Sequence, residues 1–369
     1  MIQVQSPTCK ACGSVVNASA PSPDPPPAQL KRVESPPLPP PPKAEIQEKA
    51  PLAVADSAPG HRLSFHGSGG TLFGIQIVNM LLTIVTLGIY TFWGRVKVRK
   101  YLLSQTEFEG DRFAYHGTGK ELFLGFLKAG LVFSTIGLFN ALPGLLGLGK
   151  EIEIAARILT FGLLMVFIPI AIVGTLRYRL SRISWRGVRF SFRGKVMDFI
   201  KIFLGGSLLS FITLGIYYPI FATRQYGYVA SNAYFGNQKF HFDGQGRALL
   251  GSYLLALLLT LPTLGLYWFW FSAKMARHFW SHTSLATARF RSTITGGGFL
   301  LLHLGNLFLL VFTLGLAFPW ILIRSVRFFI ANLELEGALD LAAIQQDAQA
   351  ASATGEGLAG LLDVDLNLG

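Results

Sequence analysis

The chain has 369 residues, 51% hydrophobic and 14% charged, with a mean hydropathy of +0.45 and a net charge of +12. Soluble domains carry roughly 25% charged residues, so this composition excludes an ordinary water-soluble globule and points to lipid. The positive charge does not indicate nucleic acid: most Lys and Arg cluster immediately after hydrophobic runs, where topology signals and lipid-phosphate contacts belong.

The N-terminus opens on Cys9-Lys10-Ala11-Cys12-Gly13, a spacing at which two thiolates can share one tetrahedral metal. These are the only two cysteines, and a structural zinc site needs four ligands. The pair therefore reads as half of a zinc knuckle, with metal shared between chains or a redox pair as alternatives; apart from zinc at Cys9 and Cys12, no cofactor is expected. Residues 1–62 join this fragment to a proline-rich arm, with 13 of the 19 prolines between Pro21 and Pro59. Such a segment favours extended conformations and cannot build a core, so it is expected to be disordered. No apolar stretch in the first sixty residues resembles a secretory leader, and insertion is expected to rely on the first membrane segment.

From residue 63 a repeat takes over. Six stretches lack Asp, Glu, Lys and Arg: residues 63–94, 129–149, 158–176, 202–223, 248–273 and 292–323. Each reaches or approaches the roughly 20 residues that cross a hydrocarbon core, and backbone in lipid must bond internally, so each is expected to be helical. Inside them a phrase recurs, as Thr86-Leu87-Gly88-Ile89-Tyr90, Thr213-Leu214-Gly215-Ile216-Tyr217, Thr263-Leu264-Gly265-Leu266-Tyr267 and Thr313-Leu314-Gly315-Leu316. Thr135-Ile136-Gly137-Leu138-Phe139 is a weaker copy. A second phrase, at Phe65-His66-Gly67, Tyr115-His116-Gly117, Phe192-Arg193-Gly194 and Phe242-Asp243-Gly244, with Ser292 in register, gives offsets of 50, 77, 50 and 50 residues. One 50-residue unit copied five times fits, with 27 extra residues in the second. Each unit reads as a short strand-like linker, an apolar helix, the Thr-Leu-Gly phrase, an aromatic cluster and a basic helical stretch. The expected fold is thus an all-α integral membrane protein of tandem ~50-residue helical units with short β-like linkers. Its domains would be the arm 1–62, a polytopic membrane domain 63–332, and an acidic tail 333–369 with a helix over 333–350.

The run Asn79-x-Leu81-Leu82-Thr83-x-x-Thr86-Leu87-Gly88-Ile89-Tyr90-x-x-Trp93, then Arg99-Lys100-Tyr101 and Phe113-x-Tyr115-x-Gly117, resembles the YjgN-like family of bacterial inner-membrane proteins. The resemblance covers residues 63 to about 332. It implies a multi-pass place in the bacterial cytoplasmic membrane and brings no activity, substrate or catalytic residue. Unit five departs from the pattern, with Ala317 where an aromatic residue is expected.

No acidic residue lies in the six runs, which argues against ion-coupled transport. Asn79 and Asn306 each stand seven residues before the Thr of the phrase, and Lys128 holds that register in unit two. A buried amide there is expected to bridge helices, with a substrate contact as the alternative. Gly88, Gly215, Gly265 and Gly315, with Thr86, Thr213, Thr263, Thr313, Tyr90, Tyr217 and Tyr267 around them, are expected to be structural, permitting close helix approach or a backbone break.

No catalytic constellation is apparent, so no enzyme is expected. The leading class is a passive transport or channel-like protein; the competing class is a structural or lipid-organising component. Membrane lipids are the expected partners, without nucleic acid, and a homo-oligomer is open. Six single crossings would put 17 basic residues on one side against five on the other. Repeat logic instead favours units that enter and leave as hairpins broken near the glycine, with every basic segment cytoplasmic.

Overall fold

The computed structural model describes residues 60–338, 340 and 344–346. Cys9, Cys12 and nearly all of the proline-rich arm lie outside the described residues.

The chain alternates short strands with pairs of helices. Strand β1 (His61–Phe65) leads into α1 (Gly69–Val85) and α2 (Thr91–Ser104), then β2 (Thr106–Phe108) and β3 (Asp111–Tyr115). The second pair is α3 (Gly119–Leu145) and α4 (Lys150–Ser181), followed by β4 (Ile183–Trp185) and β5 (Val188–Phe192). The third is α5 (Val196–Ile212) and α6 (Tyr218–Ser231), with β6 (Ala233–Phe235) and β7 (Gln238–Phe242) after it. Next come α7 (Arg247–Leu259), α8 (Trp268–Ser281), β8 (Thr283–Leu285) and β9 (Ala288–Ser292). The last pair is α9 (Gly296–Phe312) and α10 (Phe318–Ala331), and β10 (Leu333–Glu336) ends the series.

All ten strands join one closed antiparallel barrel, in which sequence neighbours pair and β10 pairs with β1 through His61↔Leu335. This corrects the all-α expectation: the β-like linkers are barrel staves. Strands of three to five residues are too short to signal themselves singly, but closure leaves no edge unpaired. The third residue of every strand points into the barrel, from Leu63, Phe108 and Phe113 through Trp185 to Phe290 and Leu335. These side chains fill it, with Phe190 and Phe235 rings 4.6 Å apart and Phe108 5.4 Å from Trp185. An apolar cavity of about 110 Å³ remains among them. The Trp185 indole donates to the carbonyls of Phe108, at 3.2 Å, and Asp111, at 3.1 Å, satisfying its one polar group.

Antiparallel order decides where the helices go. Connections alternate between the two rims, and every second one is a two-residue turn such as Glu109-Gly110 or Arg186-Gly187, where both residues have positive φ. All five helix pairs therefore leave the same rim. Each helix packs on its chain neighbours and α10 packs back on α1, so the ten helices close a ring over the barrel. At the turn rim Ile344 is buried in the barrel core, and Gln345 accepts a hydrogen bond from the Asn237 amide at 3.0 Å. Residues 333–336, expected to begin a helical tail, instead close the barrel. There Arg291 donates to Glu336 at 2.7 Å; that hydrogen bond and the carboxylate charge raise the guanidinium above its ordinary value.

The six uncharged runs are not six continuous helices. Only 129–149, up to Leu145, and 158–176 fall in long helices, α3 and α4. The other four fold back on themselves at the Thr-Leu-Gly phrase. The weaker copy at Thr135 makes no bend: it sits inside α3, and the second pair turns later, after Leu145.

Candidate functional site: the tips of the helix pairs

Each short pair ends in the same piece of backbone chemistry. The Thr of the phrase is the C-cap of the first helix at Thr86, Thr213 and Thr313 and stands three residues past the cap at Thr263, its hydroxyl donating to the carbonyl four residues back at 2.6–2.7 Å. The same oxygen accepts the amide of the residue four ahead at 2.9–3.3 Å, which starts the second helix. The glycine amide reaches back to the carbonyl five residues earlier, Gly265 to Thr260 at 2.7 Å and likewise at Gly88, Gly215 and Gly315. With Leu87 donating to Ile84 at 3.1 Å, this is the double-bonded Schellman helix end.

That ending demands left-handed backbone after the cap, where glycine is the usual occupant. Here the position holds Leu87, Leu214, Leu264 and Leu314, at φ of 50°, 51°, 50° and 49°. An L-residue in that region costs roughly 1–2 kcal/mol. The four leucines are 94%, 92%, 91% and 93% exposed, so no packing within the protein offsets the cost. Val85, Phe211, Ile212, Leu261 and Phe312 beside them are also exposed. A Cβ at Gly88 or Gly315 meets nothing and at Gly265 only Trp268 at 4.0 Å, whereas Gly215 lies against α7, its carbonyl accepting a hydrogen bond from the Tyr253 hydroxyl at 3.1 Å. The glycines serve the backbone break.

Aromatic residues follow the tip, Tyr90 stacking with Trp93 and Tyr267 with Trp270. Seven residues after that first aromatic position stands an exposed cation in four of the pairs: Lys97, Arg224, Lys274 and Arg324. Lys97 lies 5.3 Å over the Tyr90 ring and Arg224 5.6 Å over Tyr217. Three residues further on, a second register clamps neighbouring pairs together. Arg177 donates to the Gly194 carbonyl at 2.6 Å, Arg277 to Ile294 at 2.5 Å, and Arg327 to Gly67 at 3.1 Å. Indole rings sit on the first-helix glycines of the next pair, Trp93 on Gly119, Trp270 on Gly296 and Trp320 on Gly69, where a Cβ would approach within 2.3–2.5 Å. The seam between the last pair and the first is thus built like the internal ones.

Asn79 and Asn306 are not brought together on one surface. Asn79 donates to the Gly94 carbonyl at 3.3 Å across the first pair; Asn306 donates to Ser325 Oγ at 3.0 Å across the fifth. Each amide is engaged inside its own pair, with its oxygen lacking a partner among the described residues. His303 bonds its own helix at the Phe299 carbonyl.

A family model for a bacterial protein of unknown function, DUF898, matches residues 60–271 and 250–361. The chain belongs to that family. Among its relatives is the inner membrane protein YjgN of Escherichia coli O157:H7, 38% identical over 134 residues, 36% of this chain and 31% of that one. YjgN of Escherichia coli strain K12 is 36% identical over 141 residues, 38% of this chain and 33% of the relative. YjgN of Salmonella typhimurium is 38% identical over 133 residues, covering 36% and 31%. The matches span about a third of these relatives' length, and no solved structure matches the chain. All three relatives are named as inner membrane proteins.

Sequence reasoning found the phrase but missed the cation register and the seam. The cation register was legible as a fixed offset of seven residues after the tip aromatic position, and the seam cations Arg277 and Arg327 as an offset of ten.

Proposed function

We propose that this DUF898 protein is a non-catalytic membrane component that inserts its helix pairs into the inner membrane from the barrel side and organises lipid around them. The four exposed leucines carry the reading. A strained, solvent-facing leucine at the same register in four pairs has no use in water and an immediate one in hydrocarbon.

Lengths support a division of labour. At about 1.5 Å per residue, the 27 and 32 residues of α3 and α4 reach about 40 and 48 Å, enough for a hydrocarbon core of about 30 Å. The 17 and 14 residues of α1 and α2 give only about 25 and 21 Å, so the short pairs enter without crossing. The end of the long pair is charged where the others are apolar, with Lys150, Glu151, Glu153 and Arg157, the last two in an ion pair at 3.6 Å. At its base Arg182 and Tyr178 both bind Glu121, at 2.7 and 2.9 Å, marking the opposite interface. Lys and Arg concentrate toward the barrel side, which favours a cytoplasmic barrel. A barrel filled by aromatic rings gives no support to conduction along its axis.

Single cysteines in a Cys9→Ser, Cys12→Ser background test the arrangement. A cysteine at Lys150 should label from outside intact cells, whereas cysteines at Asn237 and Thr287, both in turns of the barrel's far rim, should not. External labelling at either turn would overturn it. Proteoliposomes should show no solute flux above empty vesicles.

A further inference from the structure

The fifth pair differs from the others at one decisive place. Where Tyr90, Tyr217 and Tyr267 stand after the tip, this pair has Ala317. The space is left open as a groove of about 710 Å³ lined by Phe73, Leu309, Phe312, Leu314, Ala317 and Trp320. A second groove of about 530 Å³ shares Leu309 and Trp320 with the first and continues to Arg324 and Arg327. Together they run along α10 in the cleft it makes with α9, touching α1 only at Phe73 and Gly69, apolar at the tip and doubly cationic toward the barrel.

We propose that this cleft binds one anionic phospholipid of the barrel-side leaflet, its acyl chain beside Ala317 and its phosphate on Arg324 and Arg327. The proposal rests on the membrane reading above and adds a defined site to it. Polarity runs the right way: the tip lies deepest, and Arg324, six residues beyond Phe318, sits about 9 Å nearer the barrel, a drop that fits within one leaflet. Guanidinium geometry fits too. Each group carries five N–H donors in a fork suited to phosphate. Arg324 reaches the Leu301 carbonyl of α9 at 3.4 Å and Arg327 the Gly67 carbonyl at 3.1 Å, which aims both forks along the cleft. Gly305 makes this possible, since a Cβ there would come within 2.5 Å of the Arg324 Nη1. In the first and third pairs the equivalent cations lie over the tip tyrosine, and that ring occupies the place an acyl chain takes here.

The test uses the full chain purified in detergent and titrated with phosphatidylglycerol or phosphatidylcholine, bound lipid being counted by native mass spectrometry. Wild type should retain one phosphatidylglycerol per protein, and phosphatidylcholine at least tenfold less. Ala317→Tyr installs the residue the other pairs already carry and should cut phosphatidylglycerol retention at least tenfold. Arg324→Gln should cut it several-fold and narrow the preference over phosphatidylcholine. Wild-type retention in both variants, or equal retention of the two lipids by wild type, overturns the proposal. If Ala317→Tyr fails to fold, Arg324→Gln decides alone. Alkaline extraction of native membranes reports separately: release of wild type into the supernatant would defeat the membrane reading, whereas intact anchoring without lipid selectivity defeats only the site.

Discussion

Replacing Gly265 separates two explanations of the repeated glycine. The residue sits at φ +81°, and the nearest atom to an added Cβ is 4.0 Å away, so alanine would create no overlap and pay only for backbone. That cost is about 1–2 kcal/mol. Gly251, within α7, has open space around it, and alanine there should gain about 0.5–1 kcal/mol. The two variants should move apart by about 1.5–3 kcal/mol in opposite directions. Asparagine tolerates left-handed backbone better than alanine although it is larger, so Gly265→Asn should be milder than Gly265→Ala. At Gly206 the order should reverse: a Cβ meets the Phe221 ring at 2.0 Å, and the larger residue must cost more. Thermal unfolding in detergent, followed by loss of the monodisperse peak, measures all five proteins. If Gly265→Asn proves as damaging as Gly265→Ala, or Gly251→Ala as damaging as either, the backbone account is wrong.

Two further outcomes follow from the tips and the barrel. Replacing Leu87, Leu214, Leu264 and Leu314 together by Asn removes about 6–12 kcal/mol of apolar transfer into lipid, at about 1.5–3 kcal/mol per leucine. Recovery in liposome flotation should fall while the melting point in detergent stays level or rises; a fall in both would show that the leucines pack within the protein. Trp185, 3% exposed in the barrel centre, should cost about 3–5 kcal/mol when cut to alanine. Unfolding midpoints in denaturant check this, and an unchanged midpoint would mean that the barrel interior does not hold the ring together.

The membrane character, the phrase and the resemblance to YjgN were legible because they rest on composition and local pattern. The barrel was not, for a definite reason. A segment such as Thr106–Phe108 offers one inward residue, which no periodicity test can detect. Its partners are fixed by closure, and β1 meets β10 from the far end of the described chain. The signals that were readable are the two-residue turns: Glu109-Gly110 and Arg186-Gly187, each between a three-residue and a five-residue strand, are hairpin turns by their φ values. Counting uncharged residues misled for a related reason. The run 248–273 is long enough to cross, but Schellman chemistry at Thr263 folds it in half, and hydropathy does not see a bend.

The barrel and the short pairs explain each other. A helix pair that enters a bilayer without crossing must return both ends to the same interface, and an isolated pair of 17 and 14 residues has little to hold it upright there. Ten staves tie every pair at both ends to one rim. Arg177, Arg277 and Arg327 then fix the tilt between neighbours by gripping backbone carbonyls in the adjoining strand–helix link. The tips are left free to carry what a stable water-soluble protein would discard: leucines in a strained conformation, facing outward. Once the bases are clamped, the outward surface of the tips can vary residue by residue without loss of the ring. Ala317 in the fifth pair is such a variation, and the groove it opens between α9 and α10 reaches Phe73 of the first pair.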